Sequence, residues 1–343
     1  MLKKTFLILS VFSAITLLPS FKKDTTQKVL RTVIIDAGHG GKDQGAEGLI
    51  TTEAQLCLEI SKKLGKQIGK DIPGIKILYT RAADVLPGNK SNKDDALRYR
   101  ADFANSSGAD LFISIHCNAA GKQPGGWYEK KIIDYNYKIS YVGKGKKRKK
   151  VTTKIPVYQP YYVVNETNGT ETFIWTAKEN SHKAQIVGNQ NEFSSEEDST
   201  ITVPDNDPVI NALRLLYTKK YFKNSFLLAE LVQQEFEKSG RINRGVKQRN
   251  EKGIWVLHAT GMPSVLIETG FISNKKEEEY LVSEKGQDEI VDNITSALKN
   301  YVSSLEKQQT PAGNATGTTP AANKMSYGFM KLLDDHQTRN TGK

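Results

Sequence analysis

Two histidines and two glutamates have the residue types and the local settings of a hydrolytic metal site. His39 lies in a glycine-rich loop, GHGGKDQG, Glu53 follows fourteen residues later, His116 lies in SIHCN, and Glu268 lies in LIETG. Two imidazoles and one carboxylate are a ligand set of catalytic zinc, which keeps a fourth position for water. Glu268 is then free to take a proton from that water. The residues therefore predict one zinc ion held by His39, Glu53 and His116.

The alternative is that each of these residues has only a structural role. A lone histidine in a glycine-rich turn is more often a surface or packing residue than a ligand, and histidines and glutamates occur in almost any chain. The neighbouring Cys117 is excluded from the site, because alternate residues of a strand point to opposite faces and Cys117 therefore points away from His116. The secondary structure has to decide whether the four residues meet.

Strand and helix patterns alternate along most of the sequence. β-Branched runs predict strands, and apolar residues at helical spacing predict helices between them. This alternation predicts an α/β fold with a mainly parallel sheet covered by helices on both faces. Ligands of such sheets bind beyond the carboxyl ends of the strands, which is where His39, His116 and Glu268 are expected. Strands are predicted at 32–36, 75–80, 110–118, 253–260 and 263–270, and helices at 51–69, 91–108, 208–240 and 274–306.

Composition restricts the class of protein. The 343 residues carry a net charge of +11, and the mean hydropathy of −0.50 argues against a polytopic membrane protein. Residues 1–22 have two early lysines followed by an apolar run, which predicts a secretory signal peptide, with a retained anchor as the alternative. We therefore expect secretion across the inner membrane into the periplasm. Two cysteines, Cys57 and Cys117, exclude a disulfide scaffold.

The remaining segments predict the domain organisation. A catalytic domain over 29–306 is expected to contain an insertion at about 126–207, partly β and partly helical, which breaks the alternating pattern. The basic run GKGKKRKK at 143–150 is interpreted as a solvated loop or hairpin tip. Attraction to an anionic envelope polymer or membrane surface is the alternative, and no nucleic-acid partner is expected. A flexible linker is predicted over 307–325, followed by a tail over 326–343.

Several stretches together resemble one enzyme family. VIIDAGHGGKDQGAEG, TTEAQLCLEISKKL, SIHCNAA, RGVKQRNEKGIWVL and MPSVLIETGFISNKKEEEYL resemble the zinc-dependent N-acetylmuramoyl-L-alanine amidases of the Amidase_3 type. The resemblance implies hydrolysis of the amide between N-acetylmuramic acid and L-alanine of the peptidoglycan stem peptide. It also implies one zinc ion on His39, Glu53 and His116, with Glu268 as the catalytic carboxylate. We expect a monomer acting on peptidoglycan.

The predicted insertion resembles that of the cell-division amidases. In that subgroup, which acts in cell-wall remodelling and daughter-cell separation, a helix of the insertion blocks the zinc cleft until an envelope activator protein displaces it. The resemblance thus implies autoinhibition, with Glu192, Glu196 and Glu197 as candidates to fill the open zinc position; an ordinary exposed acidic loop is the alternative. Two other functions stay open: a non-catalytic peptidoglycan-binding scaffold, and a zinc peptidase that cuts within the stem peptide.

Overall fold

A six-stranded sheet lies at the centre of the fold. The computed structural model describes residues 28–176, 180–187, 208–249 and 254–309. Within these ranges the strands are β1 (Thr32–Ala37), β2 (Lys76–Tyr79), β3 (Leu111–Asn118), β4 (Gly126–Val142), β5 (Lys149–Val164), β6 (Thr170–Ile174), β7 (Asn243–Gln248) and β8 (Ser264–Phe271). The central sheet has the order β2-β1-β3-β8-β6-β7, and β4 pairs with β5 in a separate sheet.

Most strands of the central sheet run in one direction. The pairs β1–β2, β1–β3 and β3–β8 are parallel. β6 runs antiparallel to β8, and β7 runs parallel to β6. The predicted mainly parallel α/β fold is therefore confirmed. β6 and β7 were not predicted as strands, and β6 lies within the segment expected to be an insertion although it belongs to the central sheet.

Helices cover both faces of this sheet. α7 (Glu284–Gln309) packs against both α1 (Glu53–Asp71) and α4 (Pro208–Lys238), and α2 (Lys93–Ser106) reaches the other face through the buried Arg100. The predicted continuous helix 274–306 is two helices, because Ser283 has an extended backbone (φ −74°, ψ 142°). The helices are α1 (Glu53–Asp71), α2 (Lys93–Ser106), α3 (Asn180–Val187), α4 (Pro208–Lys238), α5 (Trp255–His258), α6 (Lys275–Val282) and α7 (Glu284–Gln309).

The core explains why β1 forms a central strand. Val33, Ile34 and Ile35 are consecutive and all have 0% exposure, which a strand achieves only when both faces of its sheet are covered. On α1, Leu56, Ile60, Leu64 and Ile68 repeat every four residues and are buried against this sheet. The four-residue spacing places them on one side of the helix.

One predicted strand is wrong. Residues 253–260 were expected to be extended, but Trp255–His258 form the one-turn helix α5. Val256 and Leu257 are adjacent and both buried. A strand would direct them to opposite faces, whereas one helical turn directs both toward the core. A short apolar run does not distinguish these two conformations by periodicity alone.

β4 and β5 form a long antiparallel hairpin with most side chains exposed on both faces. Among the described residues, no helix has both the length and the apolar composition needed to cross a bilayer. Several predictions lie outside the described residues: the signal peptide at 1–22, most of the linker at 307–325, the tail at 326–343, and Glu192, Glu196 and Glu197.

Candidate metal centre

Three side chains with metal-binding atoms meet at the carboxyl ends of β1 and β3. His39 comes from the loop after β1, Glu53 begins α1, and His116 lies near the end of β3. His39 Nε2 lies 3.1 Å from Glu53 Oε2, and His116 Nδ1 lies 2.8 Å from Glu53 Oε1. One donor atom from each residue can be chosen so that all three lie within 4.8 Å of one another. The three residues thus form one compact cluster of two nitrogens and one oxygen.

The glycines of the first loop allow this approach. His39 itself has a left-handed backbone (φ 58°), a strained conformation that concentrates at functional sites. A Cβ atom on Gly38 would lie 2.5 Å from the His116 ring, and one on Gly45 would lie 2.5 Å from Glu53 Oε2. Any side chain at Gly38 or Gly45 would therefore push one of the cluster residues away.

A buried arginine of α2 binds the backbone of the loop that carries His39. Arg100 pairs with Asp36 and donates to the backbone oxygens of Ala37 and His39, each at 2.8 Å. Thr80 and Ser114 also donate to Asp36, at 2.6 and 2.7 Å. Asp36 and Arg100 together therefore fix the backbone of the loop that carries His39.

A second buried arginine follows β2. Arg81 donates through Nε to Ala37 O at 3.0 Å and through one terminal nitrogen to Gly38 O at 2.6 Å and Ala54 O at 2.7 Å. It therefore ties the loop that carries His39 to the first turn of the helix that carries Glu53. All of these bonds are to backbone oxygens, so Arg81 is a structural residue of the site.

The loop before Glu53 is held by a glutamate from α6. The buried Glu278 carboxylate accepts backbone N–H bonds from Leu49, Ile50 and Thr51 at 2.7 to 3.0 Å. Glu53 itself accepts from the backbone of Ala46 at 2.8 Å and of Cys117 at 3.2 Å. The position of Glu53 is thus fixed by backbone donors as well as by the two imidazoles.

Glu268 lies on the strand next to His116. The two residues are paired in register across β3 and β8, so their side chains share one face of the sheet. Glu268 Oε2 is buried and has no hydrogen-bond partner among the described residues. Burial raises the pKa of this carboxyl well above its usual range, and the negative charges of Glu53 and Glu171 raise it further. The arrangement provides a carboxyl with a high proton affinity beside the cluster.

Glu171 of β6 is paired in register with Glu268 on its other side. It accepts hydrogen bonds from Arg244 Nε at 2.7 Å, Lys247 Nζ at 2.5 Å and Asn118 Nδ2 at 2.9 Å. Burial opposes its ionisation, but the bonds to Lys247 and Arg244 outweigh that effect and lower the pKa of Glu171. Glu171 is therefore a neutralised carboxylate next to the site.

The cluster residues have shifted proton affinities. Burial tends to lower the pKa of His39, but the bonds and charges of Glu53 and Asp43 outweigh it, so this pKa is raised. Burial tends to raise the pKa of Glu53, and the bonds from His116 and His39 reverse that effect, so this pKa is lowered strongly. Glu53 is an ionised ligand-type carboxylate. Its oxygens converge with imidazole nitrogens, and this donor set fits zinc.

The structure brings together four of the seven site residues predicted from sequence: His39, Glu53, His116 and Glu268. The supporting residues Arg100, Glu171 and Glu278 were missed. They lie far from the cluster in sequence and carry no local signal, although Glu278 is part of the motif FISNKKEEEYL.

Comparisons with known proteins give a family model and several similar proteins. The family model described as N-acetylmuramoyl-L-alanine amidase, Amidase_3, matches residues 33–300. AmiC of Escherichia coli O6:H1, named N-acetylmuramoyl-L-alanine amidase, is 26% identical over 272 residues, which cover 78% of this chain and 52% of AmiC. The chain therefore spans about half the length of that relative. A putative amidase of Buchnera aphidicola subsp. Acyrthosiphon pisum is 27% identical, covering 79% of this chain and 94% of its own length.

Solved structures with the same kind of name are also similar. The CwlD amidase of Clostridioides difficile, solved in complex with the GerS lipoprotein, has 24% identity and a TM-score of 0.49, covering 80% of this chain and 99% of that chain. The amidase AmiC2 of Nostoc punctiforme has 20% identity and a TM-score of 0.47, covering 79% of this chain and 97% of that chain.

Proposed function

Because the chain belongs to the N-acetylmuramoyl-L-alanine amidase family, we propose that it hydrolyses the amide bond between N-acetylmuramic acid and L-alanine in peptidoglycan. The observation that carries this proposal is the cluster of His39, Glu53 and His116 beside the unpartnered carboxyl oxygen of Glu268. A metal-type donor set next to a free carboxyl is the arrangement that amide hydrolysis by a metal-activated water needs.

In this proposal His39, Glu53 and His116 hold one zinc ion. Zinc bound there would polarise the scissile carbonyl and acidify the attacking water. Glu268 takes the proton of that water through its unpartnered oxygen and returns it to the leaving amine of L-alanine, so the catalytic proton is conserved.

The first test separates metal binding from proton transfer. We expect the purified protein to contain about one zinc ion per chain. Glu268→Gln should keep that zinc and lose about 10²- to 10⁴-fold in hydrolysis, the usual contribution of a general base. His116→Ala should lose the zinc as well. Exposed Glu166→Gln is the matched control and should change neither. Near-normal hydrolysis by Glu268→Gln would refute the role of Glu268.

Mass spectrometry of the products distinguishes the three functions. Cleavage at the muramic acid releases whole stem peptides that begin with L-alanine. A zinc peptidase would release fragments cut within the stem, and a non-catalytic scaffold would release nothing. Fragments that lack L-alanine would overturn the proposed reaction. Absence of any product would also overturn it when the zinc-loaded protein carries the substitutions Glu192→Gln, Glu196→Gln and Glu197→Gln, which remove the proposed restraint.

The proposal extends to location and regulation. Residues 1–22 direct export to the periplasm, and residues 29–306 act there in wall remodelling and daughter-cell separation, with a linker at 307–325 and a tail at 326–343. The segment 126–207 restrains the enzyme until an envelope activator protein engages it. Support for these points comes from the sequence patterns and from the resemblance to the cell-division amidases.

Regulation has its own test. Replacing Glu192, Glu196 and Glu197 together by glutamine should increase basal hydrolysis without activator, since an acidic side chain would no longer compete for the open metal position. The product spectrum should stay the same. Unchanged basal hydrolysis in this variant would argue against a zinc-blocking role for these three residues.

A further inference from the structure

The β4–β5 hairpin has two chemically different faces. Residues that are paired across the two strands lie on the same face, and successive residues of each strand point to alternate faces. Ile133 is an extra, bulged residue of β4, so the faces of β4 change places in the numbering there, whereas β5 alternates without interruption along its whole length. One face, here called the tyrosine face, carries six tyrosines: Tyr128, Tyr135, Tyr137, Tyr141, Tyr158 and Tyr162.

The tyrosine face is exposed and basic. Each of its tyrosines is 36% to 74% exposed. Lys130, Lys150 and Lys154 lie among them, and Lys154 Nζ is 3.6 Å from the centroid of the Tyr135 ring. The two acidic residues of the hairpin, Glu129 and Asp134, both lie on the opposite face. The tyrosine face therefore combines aromatic rings with positive charge and carries no carboxylate.

The hairpin begins at the edge of the sheet that holds the metal cluster. Its first residue, Gly126, is ten residues after His116. The buried Asn165, just after β5, donates to Ala120 O at 2.7 Å and so ties the base of the hairpin to the loop that follows β3. Strands of 16 and 17 residues extend about 50 Å at about 3.4 Å per residue. A polymer that lies along the hairpin would thus lead to the candidate active site.

We propose that the tyrosine face binds a glycan strand whose attached peptides carry carboxylates, the chemistry of the peptidoglycan substrate. Tyrosine rings offer flat apolar faces to the C–H faces of sugar rings, while their hydroxyls bond to sugar hydroxyls. The interleaved lysines match the peptide carboxylates. This inference rests on the proposed function, since it takes the same polymer as the substrate of the site.

The aromatic composition favours a glycan over a membrane. All aromatic residues on this face are tyrosines, none is Phe or Trp, and the exposed aliphatic residues between them are Ile132, Ile139 and Val164. Faces that insert into the acyl boundary of a bilayer use Trp, Phe and Leu, because they bury no hydroxyl there. A surface of hydroxylated rings suits a partner that is itself covered with hydroxyl groups.

Binding can be measured apart from hydrolysis. Every variant is made in the Glu268→Gln background, and co-sedimentation with purified peptidoglycan sacculi gives an apparent Kd at about 150 mM salt. The double variant Tyr137→Ser/Tyr158→Ser should raise this Kd about tenfold or more, equivalent to about 1.4 kcal/mol. The matched control Val142→Ser/Ile155→Ser removes exposed apolar surface from the opposite face and should change Kd less than about twofold.

Two further arms make the result specific. Tyr137→Phe/Tyr158→Phe keeps both rings. It should keep more than half of the binding free energy that Tyr137→Ser/Tyr158→Ser loses. Vesicles of phosphatidylglycerol and phosphatidylcholine should bind none of the variants. Equal losses in the two serine variants, no loss in either, or tyrosine-dependent binding to vesicles would overturn the proposal. Hydrolysis is measured on the unmodified enzyme and binding in the Glu268→Gln background. Failure of the amidase proposal and failure of the binding proposal are therefore distinguished.

Discussion

Removing Arg100 tests whether a buried ion pair positions the candidate metal-binding residues. Asp36 and Arg100 side chains are 1% and 5% exposed. Burial tends to raise the pKa of Asp36, but the charge of Arg100 and the bonds from Thr80 and Ser114 outweigh it, so the pKa is lowered. Arg100→Gln would leave this carboxylate buried without its cationic partner. Loss of one member of a buried pair costs about 3–5 kcal/mol, and we expect unfolding free energy to fall by that amount.

The double variant isolates the pair. Asp36→Asn/Arg100→Gln removes the buried negative charge as well as its partner. We therefore expect its free energy of unfolding to exceed that of Arg100→Gln by about 2 kcal/mol or more. Urea denaturation of the zinc-free protein measures all three variants. Arg98→Gln, on the exposed side of the same helix, is the control and should cost less than about 0.5 kcal/mol.

Zinc affinity provides the second readout. Arg100 donates to the backbone of His39, and partners that orient a metal-binding residue are worth about 10- to 100-fold in affinity. We expect Arg100→Gln to weaken zinc binding by that factor and Arg98→Gln to leave it unchanged. A cost below about 1 kcal/mol, or no recovery in the double variant, would refute the view that this pair supports the site.

Two further predictions concern other buried groups. Burial raises the pKa of Glu230 to about 7 from 4.5, so the unfolded chain loses a proton that the folded chain retains, and stability falls as pH rises between these values. Glu230→Gln should therefore raise the free energy of unfolding at pH 8 but not at pH 4, by an amount on the order of 1 kcal/mol after allowing for its partial exposure. Exposed Glu166→Gln is the control and should leave the free energy of unfolding unchanged at both pH values. Cys57 and Cys117 are buried free thiols, and burial raises the pKa of Cys57 well above its usual range. Ellman's reagent should label both about a hundredfold more slowly in the native protein than in urea; rapid native labelling would contradict their burial.

The sequence was sufficient for the parts of the fold whose signals are local. The continuous apolar run of β1 and the four-residue repeat of α1 each have one interpretation, and both elements formed where expected. The order of strands placed His39, His116 and Glu268 at one sheet edge. The strand predicted at residues 255–258 was wrong because a short, mostly apolar run is compatible with a strand and with a helical turn.

The supporting residues could not be predicted for a different reason. Arg100 and Glu278 act on backbone groups that lie 61 to 229 residues away in sequence. An arginine that ends buried has the same local pattern as one on a helix surface, and only the tertiary contact distinguishes them. β6 was missed because it is a short strand of five residues surrounded by segments that break the alternating pattern.

Three carboxylates lie side by side near the cluster, and their partners divide their roles. Glu53 is bound by two imidazoles and two backbone N–H groups. Glu171 is bound by Arg244, Lys247 and Asn118. Both are therefore held ionised. Glu268 has an oxygen without a partner among the described residues. Neighbouring carboxyls whose environments push their proton affinities apart are how one site separates a fixed charge from a proton carrier, and this separation supports the proposed role of Glu268 in proton transfer.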